Sequence, residues 1–409
     1  MGRRVLIFVE NLPVPFDRRV WMESTTLRDA GYGVTVICPT GVNASPEEEV
    51  IDGVRILRHP LPAERSSFAG YVREYSSALV AQFRLARRVM REGRVDIVHI
   101  CNPPDLLFLV ALYVKVSCGA RIIFDHHDLS PELFEAKFGR RGLLYWVLRL
   151  LEYLTYQTAD HVIATNESFR TIALRRGHVH PRRVSVVRSA PAPGKFAPRP
   201  ADGRPWHAGR PFLLAYIGVM GESDGVDGLL DVAHILRHRG RRDVRMVLIG
   251  TGPMYEKLRT QATQMRLEDN VEFLGAVHDE TVIKVLSEAD VCLNPDPCTV
   301  MNDLSTMNKI LEYMALAKPI VQYDLWEGRV SAGEACLYAR CGDPEDFADC
   351  IERLLDRPKE RARRGALGRE RFLTSLSWEH QRNHLLDAYA AALDAERTRG
   401  PLDPNAESP

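Results

Sequence analysis

What the chain lacks narrows its function first. No stretch reaches the roughly 18 apolar residues that cross a bilayer as a helix, so no membrane span is expected. The N-terminal apolar run in "MGRRVLIFVENLP" covers about five residues before Glu10 ends it, short of the roughly seven to fifteen of a secretory signal, and reads as a first strand. A cytoplasmic protein is therefore expected. Charge is balanced, with 54 Lys and Arg against 54 Asp and Glu, so no global field argues for nucleic acid. The cysteines (Cys38, Cys101, Cys118, Cys292, Cys298, Cys336, Cys341, Cys350) follow no Cys-x-x-Cys or Cys/His zinc spacing and read as small buried residues in a reducing compartment. No Gly-x-Gly-x-x-Gly follows the first strand of either half, where "ENLPVPFD" and "VMGESDG" stand, which disfavours a dinucleotide-dependent oxidoreductase.

What is present is alternation. "VLIFVE", "GVTVICP", "VRIL", "DIVHIC", "ARIIFDHHD", "HVIATN" and "VSVVRS" are β-rich runs separated by helical patterns, as in a parallel sheet covered on both faces. The stretch 191–210 is rich in Pro and Gly without periodicity and reads as a linker. The alternation then restarts with "FLLAYIG", "RMVLIG", "VEFLG", "VCLNP", "PIVQYD" and "CLYA". Two doubly wound α/β domains are expected, over 1–190 and 211–376, with a last helix over 377–396 that packs back toward the first domain and a disordered tail over 397–409. In such folds ligands bind at the C-terminal ends of the strands.

One segment of the second half carries chemistry. In "LSTMNKILEYMALAKPIVQYD", Met307, Ile310, Leu311 and Met314 recur at helical spacing, while Ser305, Asn308, Lys309 and Glu312 share another side. Pro319 ends the helix and a strand follows. A helix start with Ser305, Thr306 and Lys309 suits a phosphate or diphosphate, because its first turn has unpaired N–H groups and the positive dipole end. Glu312 could then accept hydrogen bonds from hydroxyls on the same ligand. An ordinary capped helix with a solvated polar face fits the same residues.

Taken in order, "TLRDAGYGVTVICP", "FDHHDLSPELF", "VIATNES", "YIGVMGESDGVDGLL", "LIGTGP", "VEFLGAV" and "NKILEYMALAKPIV" give the chain a resemblance, over nearly its whole length, to the retaining family 4 glycosyltransferases of the GT-B fold. With "VPFDRRVW" and "STMNK" it is similar to a bacterial subgroup that builds polysaccharide or glycoconjugate sugars. The resemblance implies two Rossmann-like domains facing across a cleft, an acceptor in the first and a nucleoside diphosphate sugar as co-substrate, UDP by family frequency, in the second. Glu312 matches the glutamate that binds ribose hydroxyls. The partner glutamate eight positions upstream is replaced by Leu304, with Asp303 adjacent as a substitute. Where the family carries Arg and Lys after the first strand of the second domain, Met220 and Asp224 stand here. The chain has no Asp-x-Asp to hold a divalent metal, so no metal or other cofactor is expected. Charge on the departing diphosphate then falls to Lys309, Asn308, the Ser305/Thr306 turn and backbone N–H groups of the Gly218–Gly221 loop, with Arg18 and Arg19 completing a clamp.

In the first domain, His127 occupies the position of the family's active-site histidine, with Asp125 beside it as a second catalytic candidate. Asn102, Asp105 and Glu132 are acceptor-site candidates. Stretch 139–154, "GRRGLLYWVLRLLEYL", sets Arg140, Arg141 and Arg149 beside apolar residues; it is either a core helix or a peripheral contact with the inner face of the membrane. The implied acceptor is a lipid-linked saccharide or a small glycoside. The alternative is a catalytically silent GT-B scaffold that stabilises a partner transferase.

Overall fold

The computed structural model describes residues 2–41, 46–60, 68–139, 141–199 and 205–394. The expected tail 397–409 lies outside the described residues. The chain divides into two compact units, one ending at Arg188 and resuming at Gln381, the other running from Ser189 to His380.

The first unit is built on an eight-stranded sheet: β1 (Arg4–Val9), β2 (Gly33–Pro39), β3 (Glu48–Ile51), β4 (Val54–His59), β5 (Ile97–Cys101), β6 (Arg121–His126), β7 (His161–Ala164) and β8 (Val184–Val186). The spatial order is β3-β4-β2-β1-β5-β6-β7-β8, parallel except for β3, which pairs antiparallel with β4 at the edge. Val5 to Val9 are all buried, as continuous apolar runs must be when helices cover both sheet faces. The sequence pattern misses β3, whose "EEVI" has no period-two alternation of charged and apolar residues and lies exposed or half-buried at the sheet edge. Topology reverses between β1 and β5, so the crevice beyond their C-terminal ends is where a ligand site is expected.

The second unit has six parallel strands: β9 (Phe212–Ile217), β10 (Val244–Ile249), β11 (Val271–Gly275), β12 (Val291–Asn294), β13 (Ile320–Tyr323) and β14 (Cys336–Ala339), in the order β11-β10-β9-β12-β13-β14. Its reversal lies between β9 and β12. Phe196, from the Pro- and Gly-rich segment, is buried in this unit's core with the preceding Ala190, so that part of the segment packs as structure rather than running free. The last helix spans Trp378–Leu393, and from Gln381 onward it belongs to the first unit.

Candidate functional site

In the first unit, the helix Arg18–Asp29 starts just past β1, its N-terminus capped by Asp17, which accepts the Val20 N–H at 3.0 Å. This places Arg19 on the first turn and Glu23 one turn later, both buried. Arg19 reaches β6: Nη2 donates to Asp125 Oδ1 at 2.7 Å and Nε to Asp125 Oδ2 at 2.9 Å, while Nη1 donates to the Val187 carbonyl at 2.8 Å. The same guanidinium lies 3.1 Å from Glu23. Arg19 is thus committed to a bidentate carboxylate pair instead of presenting a diphosphate clamp; Arg18 is exposed.

His127 Nε2 bonds Asp125 Oδ2, which leaves Nδ1 as the ring nitrogen not engaged by that carboxylate. Burial pushes the Asp125 carboxyl up, but Arg19 and then His127 outweigh it and hold the group well below the usual carboxylate range. Glu23 goes the other way: burial raises it well above that range despite Arg19. Asn102 at the end of β5 brackets the histidine loop. Its Oδ1 accepts the His127 N–H at 2.7 Å and its Nδ2 donates to the Asp128 carbonyl at 2.7 Å and to Asp105 at 3.1 Å. Asp105 is pushed up to about 6 by burial. Glu132 is paired with Arg176, which also grips Glu152. Asn102, with Asp105 behind it, therefore frames the histidine loop, while Glu132 is committed to Arg176.

His99, Cys101 and Asp125 bring three potential metal-ligand atoms within 4.8 Å of one another. They do not fit a metal ion: the Arg19 charge already sits on Asp125, and burial holds the Cys101 thiol well above its ordinary value, in the protonated form.

In the second unit, the loops after β9 and β10 lie backbone against backbone. Gly250 takes φ +130°, and a Cβ there would collide with the Gly218 carbonyl, so only glycine fits. The close approach consumes donors. Gly218 N–H bonds Ile249 O at 3.0 Å, Met220 N–H bonds Thr251 O at 3.0 Å, and Gly221 N–H bonds the Asp224 carboxylate at 3.1 Å. The expectation that this loop offers its N–H groups to phosphate is corrected accordingly for these three residues.

The expected helix is also shorter at its start. A separate turn of helix, Val300–Leu304, precedes it, and Ser305 ends that turn, its hydroxyl donating to Met301 O at 2.7 Å. The second helix runs Asn308–Ala315, with Met307 at its N-cap and no side-chain cap. Ser305 and Thr306 lie before it and not in its first turn; Asn308, exposed, and Lys309 open it. Asp303 accepts the Trp326 N–H at 2.7 Å. Tyr313 fastens the helix across the topological reversal, accepting the Ile217 N–H at 3.0 Å and donating to Leu293 O at 3.1 Å. The neighbouring Glu312 is buried. Lys309 lies with Nζ 2.9 Å from Asp296 Oδ1 and 5.1 Å from the Tyr216 ring centre, a cation–π distance. Asp296, just past β12, is buried, and its Oδ2 has no hydrogen-bond partner.

The reading of the cysteines as buried thiols fails at two positions. Cys298 and Cys341 are exposed and joined in a disulfide that ties the loop after β12 to the turn after β14; the other six are free and buried or half-buried. Glu23, His99, Asp296 and Tyr389 went unread in the sequence. Asp296 had a signal, as an acid directly after an apolar strand, and Glu23 stands four residues from Arg19.

Two family models cover the chain: residues 17–190 match the "Glycosyl transferase 4-like domain" and residues 211–357 match "Glycosyl transferases group 1". The chain is a glycosyltransferase of the GT-B fold. Among relatives, it is 25% identical over 285 residues to the phosphatidylinositol N-acetylglucosaminyltransferase gpi3 subunit of Schizosaccharomyces pombe, covering 69% of this chain but only 58% of that protein. It is 22% identical over 355 residues to 2-deoxystreptamine glucosyltransferase of Streptomyces kanamyceticus, covering 84% and 90%. Anabaena HepE in complex with UDP and glucose superposes with a TM-score of 0.71 at 13% identity, covering 95% of this chain and all of that one. This glycosyltransferase has, among its described residues, no helix long and apolar enough to cross a membrane.

Proposed function

We propose that this glycosyltransferase is a retaining, metal-independent enzyme that moves a hexose-type unit from a UDP-sugar to a lipid-linked saccharide or small glycoside in the cytoplasm. The observation that carries the donor reading is Lys309, a cation on the first turn of a helix fixed at the β9/β12 reversal. As the nucleoside diphosphate departs, charge develops on its phosphate oxygens, and an ammonium beside the free N–H groups of a helix start stabilises it without a metal. Glu312, one turn on, is the acceptor for ribose hydroxyls. His127 is suited to bond the donor sugar or a reacting hydroxyl through Nδ1, its other nitrogen being held by Asp125. UDP in HepE and the sugar-transfer names of the relatives support the same reading.

A peripheral membrane contact belongs to this proposal. The helix Leu143–Thr158 buries Tyr145 and Tyr156 but turns Leu143 (83% exposed), Trp146 (60%) and Leu150 (56%) outward, one apolar stripe at helical spacing. Such a stripe beside Arg141 and Arg149 suits the boundary of an anionic bilayer. Arg140 lies outside the described residues.

Thermal stabilisation by UDP, GDP, ADP, TDP and their sugar conjugates, with and without EDTA, tests the donor assignment. A rise in Tm with UDP and UDP-sugars that survives EDTA is expected. A shift abolished by EDTA overturns metal independence, and no shift with any nucleotide overturns the donor site.

A further inference from the structure

We propose that Tyr389, on the last helix, is a positioning residue for the Asp125–His127 pair and acts through His99. Tyr389 and His99 are both fully buried, and the tyrosine hydroxyl lies 2.7 Å from His99 Nδ1. The other ring nitrogen, Nε2, is buried without a hydrogen-bond partner at normal distance; it lies 3.5 Å from Asp125 Oδ2 and 3.7 Å from Glu23 Oε2. Asp125 Oδ2 is the same oxygen that receives Arg19 Nε and His127 Nε2. One hydroxyl therefore stands three contacts away from the histidine assigned to substrate, through His99 and Asp125, on a helix 262 residues further along the chain.

A neutral imidazole carries one N–H, and the hydrogen bond at one nitrogen fixes what the other presents. If Tyr389 donates to Nδ1, the hydrogen of His99 sits on Nε2 and faces the Asp125 carboxylate. If Tyr389 accepted instead, the Nε2 lone pair would face that carboxylate in a dry core, an unfavourable arrangement at low dielectric. The structure thus favours the Nε2–H tautomer, with Tyr389 as the donor that holds it. Burial lowers the His99 affinity for a second proton, partly opposed by Asp125, so the ring remains neutral and its tautomer is what matters. With Nε2–H turned to Oδ2, the carboxylate is fixed from three sides, and His127 keeps its own Nε2–H on Asp125 and Nδ1 for substrate.

The Tyr389 role rests on the assignment of His127 above, and the test separates the two. Protein labelled with 15N-histidine, with the His99 resonances assigned among the thirteen histidines, reports the His99 tautomer with no substrate present. The wild type should show a single Nε2–H form, and Tyr389→Phe, which keeps the ring, should show loss of that form or a mixture. With UDP-glucose as probe and UDP release as readout, Tyr389→Phe should lower kcat about tenfold at unchanged KM, less than the hundredfold or more expected for His127→Ala. An Nδ1–H tautomer in the wild type overturns the proposal before any variant is made. An unchanged tautomer in Tyr389→Phe overturns it too, as does wild-type kcat in that variant while His127→Ala is inactive. Full turnover by His127→Ala overturns instead the assignment of His127, while the tautomer of His99 is still read independently.

Discussion

The two half-sites solve the problem of placing charge in opposite ways. In the first unit, Arg19, Glu23, His99, Asp125 and His127 are packed into a network in which the ionised partners neutralise one another, and all but His127 are buried. In the second unit, glycine loops and the ends of strands do most of the shaping, and Lys309 is paired with Asp296, with Asp224 also within its electrostatic reach. A closed network fixes geometry and resists change, because any member removed leaves its partner buried and unpaired. One flexible ammonium against one carboxylate can exchange its partner for an incoming anion. On the reading proposed above, the network of the first unit orients a group and the pair of the second answers a ligand.

The largest expected effect breaks this comparison or establishes it. Asp125→Asn removes the carboxylate that receives Arg19 Nε and Nη2 and leaves the buried guanidinium only Glu23 at 3.1 Å, and should cost about 3–5 kcal/mol in urea unfolding. Asp296→Asn leaves a lysine whose long stem can swing toward water and should cost about 1 kcal/mol or less. Equal losses would mean that the two sites hold charge in the same way.

Acid should probe the buried groups of the first unit next. His161 in β7 is buried, with Nε2 2.8 Å from Ser185 Oγ, and burial lowers it to about 4. A folded-state value below the unfolded one, about 6.5, means that the unfolded chain binds the proton more tightly. The stability His161 confers is then complete above pH 6.5 and is lost as pH falls toward 4. The fall from about 6.5 to about 4 corresponds to about 3 kcal/mol. Asp105, raised to about 6, runs the other way, its contribution being lost as pH rises from about 4 to 6, so the raw curve is a sum. The difference between wild type and His161→Gln isolates the histidine: it should move in favour of the variant by about 3 kcal/mol from pH 6.5 to 4. A flat difference would show that this ring is not desolvated in the native state.

How much of this was legible follows the range of each interaction. Strands written as "LIFV" and "VLI" carry their burial in their own composition, and the Met307, Ile310, Leu311, Met314 stripe carries its own period. Lys309 and Glu312 were legible for the same reason, being one turn apart. The start of that helix was misread because Ser305 has two uses, and only the fold shows that its hydroxyl is spent on Met301. Arg19 and Asp125 are 106 residues apart, and nothing local marks an arginine that will be drawn in by a carboxylate. Tyr389 and His99 are further apart still, each plausible alone as a core residue of its element. Cys298 and Cys341 look like scattered thiols until the turns after β12 and β14 bring them together.

The smallest effect sharpens the comparison most, because it asks whether Lys309 is free to change partner. Lys309→Ala should weaken calorimetric binding of UDP by about tenfold to a hundredfold while leaving uridine nearly unaffected, since the ammonium answers only the diphosphate. Part of that loss is not the missing cation. With Lys309 gone, Asp296 is left as an uncompensated carboxylate beside the incoming anion, and like charges at a low-dielectric site repel. Lys309→Ala combined with Asp296→Asn should therefore bind UDP about three- to tenfold more tightly than Lys309→Ala alone, a coupling of the size found for residues in direct contact. Additive effects would place the lysine and the aspartate in separate roles, and equal losses for UDP and uridine would remove Lys309 from the diphosphate.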